Sequence, residues 1–277
     1  MQGLRKVVRL FPRPARRAIV RMLDEHVPLR WQLPYVCAKL RLQGALDEEI
    51  AWLKRLMPGK GGVAIDIGAN IGIYSYHLSR ICDRVEAFDP NRACLRILEA
   101  YAARNINANC VALSAKPGIM TLNIPVVDGV QQTGLASANA VVAQVVTSFE
   151  VPTRTLDEYA FDDVRFIKID VEGHEPNVLA GAEGTIRENQ PIMLLEIEQR
   201  HQSKPIGSIF DAVSANGYRG FFVFKGVLQT IDTFDESFHQ RGYLEKVQHV
   251  KYVNNFFFVP PRHELATAKL DASLATM

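Results

Sequence analysis

Short apolar runs and longer segments of helical spacing alternate along this chain, and their order predicts an α/β fold. Five runs of apolar residues, many of them β-branched, indicate strands buried in a parallel sheet. They lie at residues 63–67, 84–88, 109–114, 164–169 and 191–198. A helix at residues 208–216 and strands at 218–224 and 254–259 extend this pattern. We therefore expect a doubly wound, Rossmann-like sheet of seven strands, with helices on both faces and one antiparallel strand near its end.

The hydrophobic pattern before residue 59 differs and predicts an N-terminal helical extension at residues 1–58. Apolar residues form two helical stripes, separated by prolines: Leu4, Val7, Val8 and Phe11, then Ala15, Ala18, Ile19 and Met22. Seven Lys or Arg residues fall within residues 1–23, before any acid. Such a basic amphipathic segment predicts peripheral contact with an anionic membrane. A helix packed on the main domain with a solvated basic face is the alternative that we favour.

Composition indicates one large soluble domain, at residues 59–261, followed by a flexible tail at residues 262–277. Apolar residues make up 48% of the chain and charged residues 22%, and the net charge of +2 does not favour nucleic acid as a partner. We expect no secretory signal, and no apolar run in the sequence reaches the ~18 residues that span a bilayer. Cys37, Cys82, Cys94 and Cys110 lack metal-ligand spacing, which favours reduced thiols. We expect a cytoplasmic protein, peripheral to the inner membrane surface if residues 1–23 bind there.

The first strand ends in an acid and a glycine-rich turn, a pattern that predicts a ligand site. Asp66 precedes Gly68 and Gly72, and a helix follows at residues 73–79. A dinucleotide fingerprint needs three glycines in another spacing, and an acid here suits a cation better than a pyrophosphate. A turn that binds no ligand is the alternative.

The second and third strands add candidate contacts to a nucleoside. Asp89 follows strand two, 23 positions after Asp66, close to the ~20 expected of an acid that binds ribose hydroxyls. Asp89 or Asn91 could also cap the following helix, and the two roles are compatible. Ser114, at the end of strand three, is a candidate contact to adenine. Residues 118–155 form a predicted inserted hairpin, whose loop at 129–140 is either a lid or an idle surface loop.

The fourth strand ends in a cluster of titratable groups, which we interpret as a candidate catalytic site. Asp170, Glu172 and His174 follow the strand, and Pro176 suits the first turn of the next helix. Carboxylates and an imidazole at this edge of the sheet could position an acceptor and take up its proton. Helix-capping acids and one exposed histidine are the alternative. A second hypothesis is a magnesium site, with candidate ligands Asp170, Glu196, Glu198 and His201.

Four motifs together resemble the FkbM family of methyltransferases, over residues 60–260. They are DIGANIG at 66–72, AFDPN at 87–91, TLDE at 155–158 and FIKIDVEGHE at 166–175. The family more often has Glu at the position of Asp89. The resemblance implies S-adenosylmethionine as cofactor and O-methylation of a sugar, glycan or polyketide-like hydroxyl. The residues expected to bind the cofactor are Asp66, Gly68, Ala69, Asn70, Gly72, Asp89, Asn91, Ser114 and Asp170.

Three other functions stay open on the sequence alone. An NAD-dependent dehydrogenase shares the acid on strand two but needs the missing middle glycine. An amino-directed nucleic-acid methyltransferase needs a flanking aromatic residue to stack a flipped base, and the sequence after Asp170 has none. The third is a non-catalytic scaffold that binds S-adenosylmethionine or a glycan. The carboxylate-rich site argues against such a scaffold, because binding alone does not need it.

Overall fold

The computed structural model describes residues 27–101, 103–127, 130–131, 146–243 and 252–263. Three predictions lie outside these residues. They concern the basic stripes at residues 1–23, most of the loop at 129–140 and the tail beyond residue 263.

The described residues form helices and strands in the alternating order that the sequence predicts. The helices are α1 (Leu29–Gln43), α2 (Glu49–Leu56), α3 (Ile73–Leu78), α4 (Arg92–Tyr101), α5 (Glu175–Ala180), α6 (Glu183–Asn189), α7 (Gly207–Ser214) and α8 (Glu236–His239). The strands are β1 (Val63–Ile67), β2 (Arg84–Phe88), β3 (Ile106–Asn109), β4 (Ala112–Leu113), β5 (Gly118–Val127), β6 (Val130–Gln131), β7 (Val146–Arg154), β8 (Val164–Ile169), β9 (Ile192–Glu196), β10 (Arg219–Phe224), β11 (Val227–Thr230) and β12 (Asn255–Val259).

The main sheet has eight strands in the order β11-β10-β12-β9-β8-β1-β2-β3. From β9 to β3 all pairs are parallel, whereas β12 is antiparallel to both β9 and β10. This arrangement confirms the predicted doubly wound, Rossmann-like fold. The predicted count of seven is one strand short, because β11 pairs with β10 through a tight turn at Lys225 and Gly226, both with positive φ. β11 is four residues long and only partly buried, so it lacks the apolar run that marks the other strands.

The third strand of the sheet is a correction to the prediction. It is β3, at Ile106–Asn109, while the predicted run at 109–114 instead contains β4, which pairs with β7 in a second sheet. β3 escaped detection because it is polar: the amides of Asn107 and Asn109 donate to the Glu86 carboxylate on β2. The run at 111–113 is apolar because Val111 and Leu113 pack in the core cluster of the main sheet and Ala112 packs in that of the second, although β4 itself pairs in the second sheet.

A second sheet, in the order β4-β7-β5-β6, stands at one end of the first. β5 and β7 pair in antiparallel register from Gly118 to Pro125, within the residues predicted to form the inserted hairpin. Leu122 and Val151 pack with Ala112 in a small core of their own. Met120 and Leu122 also face the carboxyl end of the main sheet, where the candidate site lies.

Both faces of the main sheet are covered by apolar side chains. Alternate residues of β8 point to opposite sides, so that Ile167 and Ile169 enter one core cluster and Phe166 the other. α1 packs on α4 through Leu33 and Cys37. All four cysteines lie in the described residues, and none forms a disulfide. No helix within the described ranges is long and apolar enough to cross a membrane.

Candidate active site

The turn after β1 is held against the end of β8 by backbone contacts. The amides of Gly68 and Ala69 both donate to the carbonyl of Phe88, and Asp170 donates its amide to Ile67. Gly68 has a φ of +77°, and a Cβ there would lie 1.7 Å from the carbonyl oxygen of Asp170. Only glycine permits this approach, which brings the ends of β1, β2 and β8 together.

Asp89 organises the loop on the other side of this turn. One of its carboxylate oxygens accepts the amide of Asn70 at 2.8 Å, and the other accepts the amide of Asn91 at 2.8 Å. The side chain of Asn91 accepts the amide of Ala93, so Asn91 caps α4. Burial raises the pKa of Asp89 to about 6, although the two amides oppose this shift. Each oxygen keeps acceptor capacity for a hydroxyl donor.

These loops enclose one side of a cleft at the carboxyl edge of the sheet. The cleft is open to solvent, and its empty volume, including the part that is open to solvent, is about 670 Å³. Its polar walls include Asn70, Asp89, Asp170, Glu172 and His174. Its apolar walls are Ile67, Phe88, Pro90, Val111, Ala112, Leu113, Met120, Leu122 and Val171. The cleft is therefore amphipathic, with carboxylates at one end and an apolar slot between β2 and the second sheet.

Five of the nine residues predicted to bind the cofactor do not line the cleft, and three of these, Asp66, Ala69 and Gly72, support it from behind. Ala69 packs inward beside Leu95 and Leu98 of α4. Gly72 begins α3 with a φ of +92°, and a Cβ there would lie 2.5 Å from Leu98. Asp66 is 2% exposed, beneath the turn, where it accepts a 2.6 Å hydrogen bond from the Ser75 hydroxyl.

Burial makes Asp66 a source of pH-dependent stability. Burial raises its pKa above the usual value, although Ser75 and Lys168 oppose the shift. The folded state therefore favours protonated Asp66, and this stabilisation is present below the unfolded pKa of about 3.9 and is lost as pH rises. We expect Asp66→Asn to melt about 2 °C or more above the wild type at pH 8, with a smaller gap at pH 4. Equal melting temperatures at both pH values would contradict this expectation.

Ser114 and His174 contact each other at the far end of the cleft. The Ser114 hydroxyl lies 2.9 Å from Nε2 of His174, and the side-chain amide of Asn177 lies 3.2 Å from Nδ1. Burial lowers the pKa of His174, so the imidazole is neutral at pH 7. Since both ring nitrogens have partners, His174 is poorly placed to take a proton from an acceptor. Ser114 is tied to His174 and to the carbonyl of Arg154, and Leu113 beside it lines the apolar slot.

The loop between β8 and α5 is fixed by a residue that the predicted site omitted. Glu175 is 1% exposed and accepts the amides of Val171 and Gly173, while its other oxygen accepts from Gln202. Glu172 adopts a φ of +52° in this loop. Its carboxylate lies 2.7 Å from Nδ1 of His201, and this contact raises the pKa of His201 against the effect of burial.

A buried lysine holds the carboxylates at the ends of β8 and β9. Lys168 is 1% exposed, and its Nζ lies 3.1 Å from Asn255 Oδ1, 3.5 Å from Glu196 and 3.9 Å from Asp170. Burial alone would lower the pKa of Lys168, but the two carboxylates raise it, so the ammonium stays charged. Burial raises the pKa of Asp170 to about 7, with Lys168 opposing and Glu172 adding to the shift. Burial and the charge of Asp170 raise the pKa of Glu196 well above its usual value.

The four residues of the magnesium hypothesis do not converge on one point. Asp170 and Glu196 surround Lys168, which already supplies a positive charge there. Glu198 is bound by Arg200 and by the Tyr252 hydroxyl. Among the described residues, the group close enough to share one ion is Glu172, Glu198 and His201.

Sequence reasoning missed Lys168, Glu175 and the apolar walls from the second sheet. Lys168 carries a recognisable signal, because a lysine inside a strand of β-branched residues must find buried partners. Met120 and Leu122 carry no such signal, since their position depends on how the second sheet stands against the first.

The fold and the cleft define a Rossmann-like protein with a site outside the carboxyl ends of its parallel strands, where such folds bind nucleotide-like ligands. Residues 66–241 match the sequence model of the methyltransferase FkbM domain. The chain therefore belongs to the FkbM methyltransferase family, and its cofactor is S-adenosylmethionine. Both conclusions confirm what the sequence resemblance implied. No curated protein sequence matches the chain.

Solved methyltransferase structures are similar to this chain at low sequence identity and with TM-scores below 0.5. An FkbM methyltransferase from Methylobacillus flagellatus KT is 16% identical, with 88% of this chain and 59% of that chain covered and a TM-score of 0.49. A candidate methyltransferase from Streptococcus mutans in complex with SAH is 10% identical, with 76% and 94% covered and a TM-score of 0.43. A precorrin-6y C5,15-methyltransferase from Geobacter metallireducens GS-15 is 14% identical, with 75% and 83% covered and a TM-score of 0.39.

The polar groups of the cleft fit this cofactor. The side-chain oxygen of Asn70 is buried and has no hydrogen-bond partner among the described residues, so it can accept from an ammonium or hydroxyl group. Asp89 places a carboxylate in the wall of the cleft, which its predicted role as a ribose ligand requires, and the apolar slot beside Phe88 and Leu113 suits a flat base.

Proposed function

We propose that the chain methylates a hydroxyl group on a sugar, glycan or polyketide-like acceptor. The observation that carries this proposal is the position and environment of Asp170. Its carboxylate lines the cleft at the end of β8 and has a pKa of about 7, so it can accept a proton near neutral pH. An alcohol needs such a base, because its proton must leave as the new carbon–oxygen bond forms.

The cofactor residues prepare the donor for this step. When bound, S-adenosylmethionine supplies a methyl group that its positive sulfur activates for in-line displacement. Asn70 and Asp89 would hold the cofactor, and Asp170 would orient the acceptor hydroxyl and take its proton. Lys168 keeps Asp170 oriented and partly offsets the effect of burial on its pKa. Positioning of this kind contributes on the order of 7 to 11 kcal/mol to catalysis.

The acceptor class is supported by the chemistry of the cleft edge. Asp170 and Glu172 line the cleft side by side, and their carboxylates can accept hydrogen bonds from a polyhydroxylated ligand. Among the described residues, the aromatic side chain that lines the cleft is Phe88, and no Tyr or Trp joins it, which argues against a site built to stack a flipped nucleobase. A panel of sugar, glycan and polyketide hydroxyl acceptors, with release of S-adenosylhomocysteine as the signal, tests the proposal. Tight cofactor binding without turnover on any acceptor would instead favour a non-catalytic scaffold.

Calorimetric titration of Asp89→Asn tests the cofactor half of the proposal. The asparagine turns an amide donor towards the amide of Asn70 or Asn91, and it removes charge-assisted bonds to ribose worth roughly 1.5–3 kcal/mol each. We expect the Kd for S-adenosylmethionine to rise roughly 10- to 100-fold, while NAD binds neither protein.

Asp157→Asn is the matched control for Asp89→Asn. Asp157 also accepts two backbone amides, from Gly184 and Thr185, but it is exposed and lies outside the cleft walls. The Asp157→Asn variant should therefore have a lower melting temperature than the wild type but the same Kd for S-adenosylmethionine. Equal cofactor affinity in Asp89→Asn and the wild type would remove Asp89 from the site.

A further inference from the structure

The outer face of α1 carries an apolar stripe where a surface helix would normally be polar. Trp31, Tyr35, Ala38 and Leu42 follow the spacing i, i+4, i+7 and i+11 and therefore share one side of the helix. Trp31 is 57% exposed and Leu42 41%. The opposite side of α1, which includes Leu33 and Cys37, is buried against the domain. α1 is thus apolar on both sides, and on the outer side Trp31 and Leu42 are largely exposed while Tyr35 and Ala38 are half-buried.

Basic residues flank this stripe, and α1 contains no acid. By helical spacing Arg30 and Arg41 lie along one side of the stripe and Lys39 along the other. The Lys39 ammonium lies 5.9 Å from the ring of Tyr35. The preceding 28 residues of sequence add seven Lys or Arg and only two acids. The described part of this face is therefore flanked by positive charge and complementary to an anionic surface.

The residue types of the stripe match those that sit at a membrane interface. Trp and Tyr place an amphipathic ring at the level of lipid headgroups, and Arg and Lys extend their charges towards phosphates. A helix with this composition lies in the plane of the interface and does not cross it. A protein partner of matching size would need an acidic surface around an apolar groove, whereas an anionic bilayer supplies both properties over any area.

We propose that the outer face of α1, formed by Trp31, Tyr35, Ala38 and Leu42 with their flanking bases, docks on an anionic phospholipid bilayer. Leu33 and Cys37 on the buried side of α1 belong to the same core cluster as Ala69 in the turn after β1. Docking through α1 therefore holds the turn at the entrance to the cofactor cleft close to the bilayer.

Tryptophan fluorescence of the full chain tests this docking directly, because the protein has two tryptophans in different environments. Trp31 is 57% exposed, whereas Trp52 on α2 is 7% exposed. Vesicles of phosphatidylcholine and phosphatidylglycerol with brominated acyl chains should quench Trp31 emission, and pure phosphatidylcholine should not. In Trp31→Phe the remaining emission of Trp52 should be unaffected by the same vesicles. Absence of quenching in the wild type would overturn the proposal.

Flotation with the same vesicles separates docking by this face from other membrane contacts. Trp31→Ser with Leu42→Ser should lower the floated fraction at least tenfold. The matched control replaces two exposed apolar residues elsewhere, Ile119 (73% exposed) and Phe238 (48% exposed), with serine and should float like the wild type. Arg30→Gln and Arg41→Gln should each weaken binding roughly fivefold. If the variant with Trp31→Ser and Leu42→Ser floats like the wild type, lipid is not the partner of this face. If that variant also loses a dimer that sedimentation detects in the wild type, the partner is a second copy of the chain.

Discussion

Gly68→Ala should abolish detectable binding of S-adenosylmethionine, raising its Kd at least about 100-fold, and should lower thermal stability. The new Cβ would lie 1.7 Å from the carbonyl oxygen and 2.8 Å from the carbonyl carbon of Asp170. These are backbone atoms at the end of β8, so no side chain can move aside to relieve the clash. The turn after β1 must separate from β8, which moves Asn70 and Asp170 apart. Calorimetry of the folded variant gives the affinity, and its melting curve gives the stability.

Gly226→Ala is a control that separates the clash from backbone strain. Gly226 has a φ of +79°, almost the same as Gly68, but a Cβ there meets nothing within 4 Å. In both variants an alanine must adopt a left-handed backbone conformation, which lowers the free energy of unfolding by roughly 1–2 kcal/mol. Gly226→Ala should therefore lose some stability and keep full cofactor affinity. If Gly68→Ala behaves like Gly226→Ala in both measurements, the close contact with Asp170 has no role in cofactor binding.

The parts of the fold that the sequence predicts are those whose burial leaves a pattern. β1, β8 and β9 are apolar at most positions because helices cover both faces of the sheet. β3 lacks that pattern, since Asn107 and Asn109 are satisfied by Glu86 on the neighbouring strand. A polar edge strand of this kind depends on its partner, and the partner cannot be inferred from the strand itself.

For the candidate site, the sequence predicts where the side chains lie but not how they are oriented. Acids at the ends of β1, β2 and β8 predict where the cleft lies, because parallel strands end at one edge of the sheet. The direction of each side chain depends on contacts across the fold. Asp66 turns towards Ser75 on α3, and His174 turns towards Ser114 beside the second sheet. The sequence therefore predicts where the site lies. The proposal that Asp170 is the base depends instead on its contact with the buried Lys168 and on the raised pKa of Asp170.

Asp170→Asn should lower kcat by about 10²–10⁴, the usual contribution of a general base. The asparagine is close in size to the aspartate but cannot accept the acceptor's proton. In the wild type the rate should rise with pH through about 7, because only ionised Asp170 acts as the base and its pKa is about 7. His174→Ala should have a smaller effect, since both nitrogens of that ring are already engaged. Full turnover by Asp170→Asn, with cofactor affinity measured separately, would exclude Asp170 as the base.

Lys168→Met extends this test from the identity of the base to its environment. Methionine fills a similar volume in the buried site but removes the ammonium that lies 3.9 Å from Asp170. Lys168 lowers the pKa of Asp170 against the effect of burial, so its loss should move the acid limb of the pH–rate profile to higher pH. A variant that loses activity only through poor folding would show a lower rate at every pH with an unshifted limb. A limb that moves upward in Lys168→Met and is absent in Asp170→Asn would identify the titrating group as Asp170 under the control of Lys168.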